Sequence, residues 1–233
     1  MEGSMPAETL AYRCARCGDT GWAPADGAGR VMRCACWLDQ LRKWPEGMPH
    51  EFRSATLENY RALPGNAAAL AAAKRFLAGA RDLVLVGPIG CGKTRLACSI
   101  LNTAHETSRM GLFVHVPFVL YQLQPPRDPE DAEGLAAVAR LERRLFEESM
   151  VVMDDLGAER DRATDYTRRT LFMVYEARYD AGLRTIWTSN KTLDEIAAMQ
   201  DDDRLASRLA GRADVVEIAC PDMRIAERVR TGE

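Results

Sequence analysis

The chain has 233 residues, 47% apolar and 28% charged, which is one ordinary domain plus about 60–80 further residues and excludes global disorder. Its 31 basic residues against 34 acidic ones give a net charge of −3, which excludes a uniformly basic nucleic-acid binder and leaves room for a local basic path. No secretory signal opens the chain, no run approaches the ~20 apolar residues that span a bilayer, and the seven cysteines are odd in number, so a cytoplasmic protein in a reducing environment, with no membrane partner, is expected.

Four of those cysteines fall in a first zone, residues 1–48. Cys14-Ala-Arg-Cys17-Gly18 has a C-x-x-C-G knuckle shape, and Cys34-Ala-Cys36 supplies a second pair after sixteen intervening residues. Four thiolates close a tetrahedral structural Zn²⁺ site with no open position, so a catalytic zinc is excluded. A segment this poor in apolar residues would otherwise lack a core, and the metal would carry its folding energy. A redox C-x-x-C is the rival reading, but no βαβ pattern surrounds it; four unpaired thiols are another. Residues 49–66 read as a linker that closes on the turn signal Pro64-Gly65-Asn66.

From residue 67 onward, helical and strand patterns alternate, which predicts an α/β fold with a parallel sheet over residues 67–233. Helices are expected over 67–80 (with Asn66 as N-cap), 93–108, 134–148, 167–179, 192–199 and 204–210. Strands are expected over 83–86, 111–116, 150–153, 185–188 and 215–218. Pro117 suits the first turn of a short helix, and Thr192 with Glu195 forms a capping-box pattern.

Gly87, Pro88, Ile89, Gly90, Cys91, Gly92, Lys93 and Thr94 match G-x-x-x-x-G-K-[ST], with an apolar strand before and a helix after. The glycines let backbone N–H groups wrap phosphates, and the helix N-terminus adds positive charge. Lys93 would reach the β- and γ-phosphates of ATP and Thr94 would ligate Mg²⁺; Arg95, the next residue, joins the nucleotide-binding set. Cys91 reads as a small side chain in a tight turn, with a redox role as the alternative.

Sixty residues after Thr94, an apolar strand ends in Asp154-Asp155. Asp154 is placed to hold Mg²⁺ and Asp155 to orient or deprotonate the attacking water. Asn190, at the end of Thr188-Ser-Asn190, could touch the γ-phosphate or position that water; its other reading is an N-cap or turn residue before the next helix. Arg204 and Arg208 share one helix face at i, i+4, as a solvated basic face or as an arginine finger for a neighbouring subunit.

In chain order, C-x-x-C-G-D-T-G-W, C-x-C, G-K-T, M-D-D-L-G-A-E, T-S-N and R-L-x-S-R-L resemble the DnaC/DnaI-type helicase loaders among the AAA+ ATPases, with the IstB transposition helpers as close relatives. The resemblance covers about residues 10–225 and is most specific in the cysteine pattern and residues 154–159. It implies an AAA+ P-loop core that hydrolyses ATP, binds single-stranded DNA and forms a homo-oligomer through the ATPase domain. It implies an adaptor, residues 1–48, for a DnaB-type replicative helicase of a bacterium or phage. It also implies Arg208 as a finger in trans with Arg204 as helper, and Arg224 near the nucleotide. Only residues 219–233 follow the fifth strand, so a core without the AAA+ C-terminal lid is expected. The DNA path is expected within residues 117–148, which hold Tyr121, Arg127, Arg140, Arg143 and Arg144 amid several acids. Two other readings stand: an IstB-like transposition helper, and an adaptor switched by ATP without hydrolysis. The cysteine segment argues against the first and the Asp154-Asp155 pair against the second.

Overall fold

A computed structural model describes residues 14, 16–17, 22–24, 31–34, 44–79, 82–108, 111–158 and 164–223. The chain divides into two compact units, Met1–Trp44 and Pro45–Glu233. In the first, β1 (Trp22–Pro24) pairs antiparallel with β2 (Val31–Arg33), Trp22 facing Arg33 and Pro24 facing Val31. Ala23 is buried while Trp22, Val31 and Met32 are exposed, so the hairpin buries little apolar surface.

The second unit runs α1 (Ala67–Leu77), β3 (Leu83–Val86), α2 (Lys93–Ser108), β4 (Leu112–His115), α3 (Val116–Gln122), α4 (Ala132–Glu147), β5 (Met150–Leu156), α5 (Asp165–Asp180), β6 (Arg184–Ser189), α6 (Leu193–Gln200), α7 (Arg204–Arg212) and β7 (Asp214–Glu217). The five later strands form one parallel sheet in the order β4-β5-β6-β3-β7. Successive side chains of β3 enter opposite cores, as the strand period of two requires. Leu83 and Leu85 join Phe76, Leu96 and Ile100 from α1 and α2, while Val84 and Val86 join Leu145, Leu171, Trp187 and Leu209 on the other face. Both faces are therefore covered, which is why the strands read as unbroken apolar runs. The protein has the α/β architecture expected of an AAA+ phosphate-loop core.

Three local details differ from expectation. Asn66 does not cap α1 with its side chain. Its Oδ1 accepts from the Leu63 N–H at 2.7 Å and its Nδ2 donates to the Arg61 carbonyl at 2.9 Å, so the amide is consumed by the preceding turn. Strand β5 continues through both carboxylates to Leu156, with an irregular register between Met153 and Leu156 around Asp155. Residues 49–66, read as a linker, and residues 45–48, read as part of the first zone, belong to the second unit: Met48 and Tyr60 enter its core, and Asn102 Nδ2 donates to the carbonyls of Phe52 and Ala55 at 3.0 and 2.8 Å. The turn-rich composition hid this packing, because two buried side chains leave no periodic pattern. Among the described residues, no helix is long and apolar enough to cross a membrane.

Candidate functional site

The phosphate loop leaves the C-terminal end of β3, with β5 and β6 ending beside it, which is where ligands of open parallel sheets bind. Gly90 has φ 77°, and a Cβ there would lie 2.1 Å from the Asp222 carboxylate, so both backbone and space demand glycine. The Met223 N–H donates to the Gly90 carbonyl at 2.9 Å, tying the segment after β7 onto the loop.

Lys93 is buried and its Nζ donates to the Gly87 and Pro88 carbonyls, each at 2.8 Å, and to Asn190 Oδ1 at 2.7 Å. Burial lowers its pKa from the ordinary lysine value, so the loop holds its own cation in a place that favours an anionic ligand. Asp154 is also buried, and burial pushes its carboxyl above the usual range, while hydroxyls of Thr188 and Thr94 partly offset this. Those hydroxyls donate to Asp154 Oδ1 at 2.7 and 2.9 Å. Thr188 Oγ1 in turn accepts from the Asp155 N–H at 2.9 Å.

Asp155 has φ 65°, a left-handed backbone rare for a residue with a Cβ. Its Oδ1 accepts from Asn190 Nδ2 at 2.8 Å, and His115 Nε2 stands 3.4 Å from Oδ2. Asn190 therefore bridges Lys93 and Asp155. Lys93, Thr94, Asp154, Asp155 and Asn190 all line one cleft of about 690 Å³, together with Ile89, Gly90, Cys91, Gly92 and Arg95. Residues 49–66 contribute to the same lining, including Phe52, Asn59 and Tyr60. Arg95 Nη2 donates to Asn59 Oδ1 at 3.2 Å, and Cys91 is a buried small residue 3.8 Å from Lys93 Nζ.

Thr188, His115 and Tyr60 stand at the site although no sequence motif assigns them a role there. Tyr60 Oη is buried and makes no hydrogen bond of normal geometry, and burial drives its pKa up to about 12. An aromatic in an otherwise polar, turn-rich segment was the available signal for it. An orphaned hydroxyl, a buried lysine and a hydroxyl–carboxylate pair suit a nucleoside triphosphate with a hard cation, for which oxygen ligands such as those of Thr94 and Asp154 are appropriate.

Arg204 and Arg208 do not line this cleft. Arg204 pairs with Asp202, Nη2 to Oδ2 at 2.6 Å, and these bonds hold the Asp202 carboxyl down to about 2. Arg208 Nε pairs with Glu176 Oε1 at 2.5 Å. In the first unit, the sulfurs of Cys14, Cys17 and Cys34 lie within 4.8 Å of one another, with Cys14 and Cys34 at 3.7 Å. Three converging soft donors fit a Zn²⁺ ion. Cys36, Glu159 and Arg224 lie outside the described residues.

Among solved structures the chain resembles that of DnaI (26% identity, TM-score 0.62), covering 76% of this chain and 97% of that one. It also resembles the DnaC helicase loader (22%, TM-score 0.61, 73% and 99%) and AMPPCP-bound DnaA from Aquifex aeolicus (19%, TM-score 0.61, 76% and 55%). At such identities the last two bear on the fold alone. Two insertion sequence ATP-binding proteins of Sinorhizobium fredii, y4pL and y4uH, are 32% identical over 98 residues and 30% identical over 78. These stretches make up 42% and 34% of this chain but only 37% and 29% of the relatives' own lengths. The family profile described as IstB-like ATP binding protein matches residues 39–231, a span that contains the whole cleft and all five strands of the parallel sheet. The chain therefore belongs to the IstB-like ATP-binding protein family.

Proposed function

We propose that the protein hydrolyses ATP to load a DnaB-type replicative helicase onto single-stranded DNA. The observation that carries this reading is the three-thiol cluster in a separate unit ahead of the ATP site, the arrangement expected of a metal-held adaptor joined to an ATPase. Likeness to DnaI, at 26% identity over nearly all of that chain, supports it. Residues 1–44 serve as the adaptor, and residues 45–233, including the segment read as a linker, form the catalytic unit.

In this mechanism Lys93 exchanges its loop carbonyls for the β- and γ-phosphates, and Thr94 and Asp154 hold Mg²⁺, whose charge offsets that of the phosphate oxygens when bound. Asp155 accepts the proton of the attacking water or orients it, with Asn190 fixing the carboxylate. Arg208 of a neighbouring subunit stabilises charge on the transferring phosphoryl group, so turnover depends on a homo-oligomer. The DNA path uses α3, where Phe118 and Tyr121 are 58% and 70% exposed, with Arg127, Arg140 and Arg143 nearby in sequence. Arg144 leaves that set because Glu46 and Glu148 pair with it.

The family profile and the two insertion-sequence relatives favour a second reading, a transposition helper with the same ATPase core. Pull-down of the full chain against a replicative helicase and against a transposase, with and without a zinc chelator, separates the two. Helicase capture that is lost on chelation is expected. Capture of the transposase alone would favour the second reading. Phosphate release in the presence of helicase and single-stranded DNA tests hydrolysis, and no turnover under any condition would leave an ATP-switched adaptor.

A further inference from the structure

The two arginines of α7 are held in different ways. Arg204 presents Nε and Nη2 to both oxygens of Asp202, at 2.6 to 3.1 Å, so one edge of its guanidinium is already occupied by a carboxylate. Arg208 has its ion pair at its inner end. Its Nε forms an ion pair with Glu176 Oε1 at 2.5 Å; both atoms are buried and neither makes a hydrogen bond of normal geometry, although the Arg208 side chain as a whole is 36% exposed. The exposed part is therefore the outer end, where no acceptor among the described residues pairs with Nη1 or Nη2. The guanidinium also lies over the Phe172 ring at 4.9 Å, and Arg204 lies at the same distance from that ring.

Phe172 and Glu176 are four residues apart on α5, and therefore on one face of it. Together they bracket the guanidinium, the ring 4.9 Å from its central carbon and the carboxylate 2.5 Å from Nε. What remains is a fork of amino groups aimed outward, the donor geometry that matches phosphate oxygens in a bidentate way.

We propose that Glu176 is a positioning residue that anchors Arg208 through Nε and so presents its terminal amino groups to the nucleotide phosphates of an adjoining subunit. This rests on the reading of Arg208 as a finger in trans. It also separates the two arginines: Arg208 is the donor and Arg204, committed to Asp202, is not. A half-buried carboxylate on the inner nitrogen costs the finger nothing in reach, and it removes rotamers that would otherwise be frozen at each encounter.

The test is steady-state ATP turnover of the full-length protein on a saturating poly-dT oligonucleotide, for Glu176→Gln, Arg208→Ala and the double variant. Glu176→Gln is expected to lower DNA-stimulated kcat about 10- to 100-fold with KM for ATP unchanged, the scale of a misplaced catalytic group. In the Arg208→Ala background the same change is expected to have no further effect. Equal losses in both backgrounds, or an unchanged kcat in Glu176→Gln while Arg208→Ala is inactive, would overturn the positioning role and leave the finger reading intact. Full activity of Arg208→Ala would overturn the finger reading itself. Should Glu176→Gln fail to fold, Phe172→Leu removes the stacking face and is read in the same cycle, with the same outcomes for and against.

Discussion

Asp155 keeps a left-handed backbone at φ 65°, which for a residue with a Cβ costs of order 1 kcal/mol or more. The Thr188 hydroxyl on its N–H and the Asn190 amide on its carboxylate hold it there. Asparagine tolerates the same backbone, so Asp155→Asn is expected to fold normally and bind ATP, while DNA-stimulated phosphate release falls about 100-fold or more, the scale of a lost general base. Lys93→Ala is expected instead to weaken nucleotide binding itself. Fluorescent-nucleotide titration set beside phosphate release checks both, and equal loss of binding in the two variants would contradict the division of roles. Lys93, Thr94, Asp154 and Asp155 were legible because each sits inside a short local pattern. Thr188 and His115 were not, because their importance comes from hydrogen-bonded and charged neighbours on other strands.

At the scale of elements, the ends of α4, α5 and β6 converge on one buried cation. Arg178 is 1% exposed and donates from Nε to Thr185 Oγ1 and from its amino groups to the carbonyls of Leu145, Glu148 and Arg184, at 2.7 to 2.9 Å. Burial pulls its pKa down to about 10, still well above neutrality, so the charge persists and every carbonyl is satisfied. Replacing it with methionine keeps the volume and orphans those acceptors, so Arg178→Met is expected to cost about 3 kcal/mol or more in urea unfolding. A loss below about 1 kcal/mol would show that water reaches the vacated carbonyls. Helix content here was readable from apolar spacing, and the Thr192–Glu195 capping box formed as its pattern predicted. The Arg178 clamp was not readable, since an arginine in the last turn of a helix looks the same in sequence whether it faces solvent or the ends of neighbouring elements.

For the whole molecule, the two compact units divide the physics as well as the chain. The hairpin of the first unit buries little, and its three converging thiols are what a metal would organise. Cys34→Ser is expected to abolish stoichiometric zinc in metal analysis of the purified protein and to leave ATP affinity unchanged. Loss of ATP binding along with the metal would mean that the nucleotide site depends on the first unit.

Sequence alone determined the alternation of strands and helices, the phosphate loop, the paired carboxylates and the clustered thiols. All of these are encoded by residues close together in the chain or by the periods of helix and strand. Tertiary structure decided what stands across from them. Sheet order β4-β5-β6-β3-β7 brings Asn190 to Lys93 across 97 residues and Asp154 to Thr94 across 60. Packing of α7 on α5 set Arg208 against Glu176, with its outer end unpaired among the described residues, while Arg204 pairs with Asp202 two residues before it. No local pattern carries the Arg208–Glu176 pair, because it depends on which side chains the fold places within a few ångströms of one another.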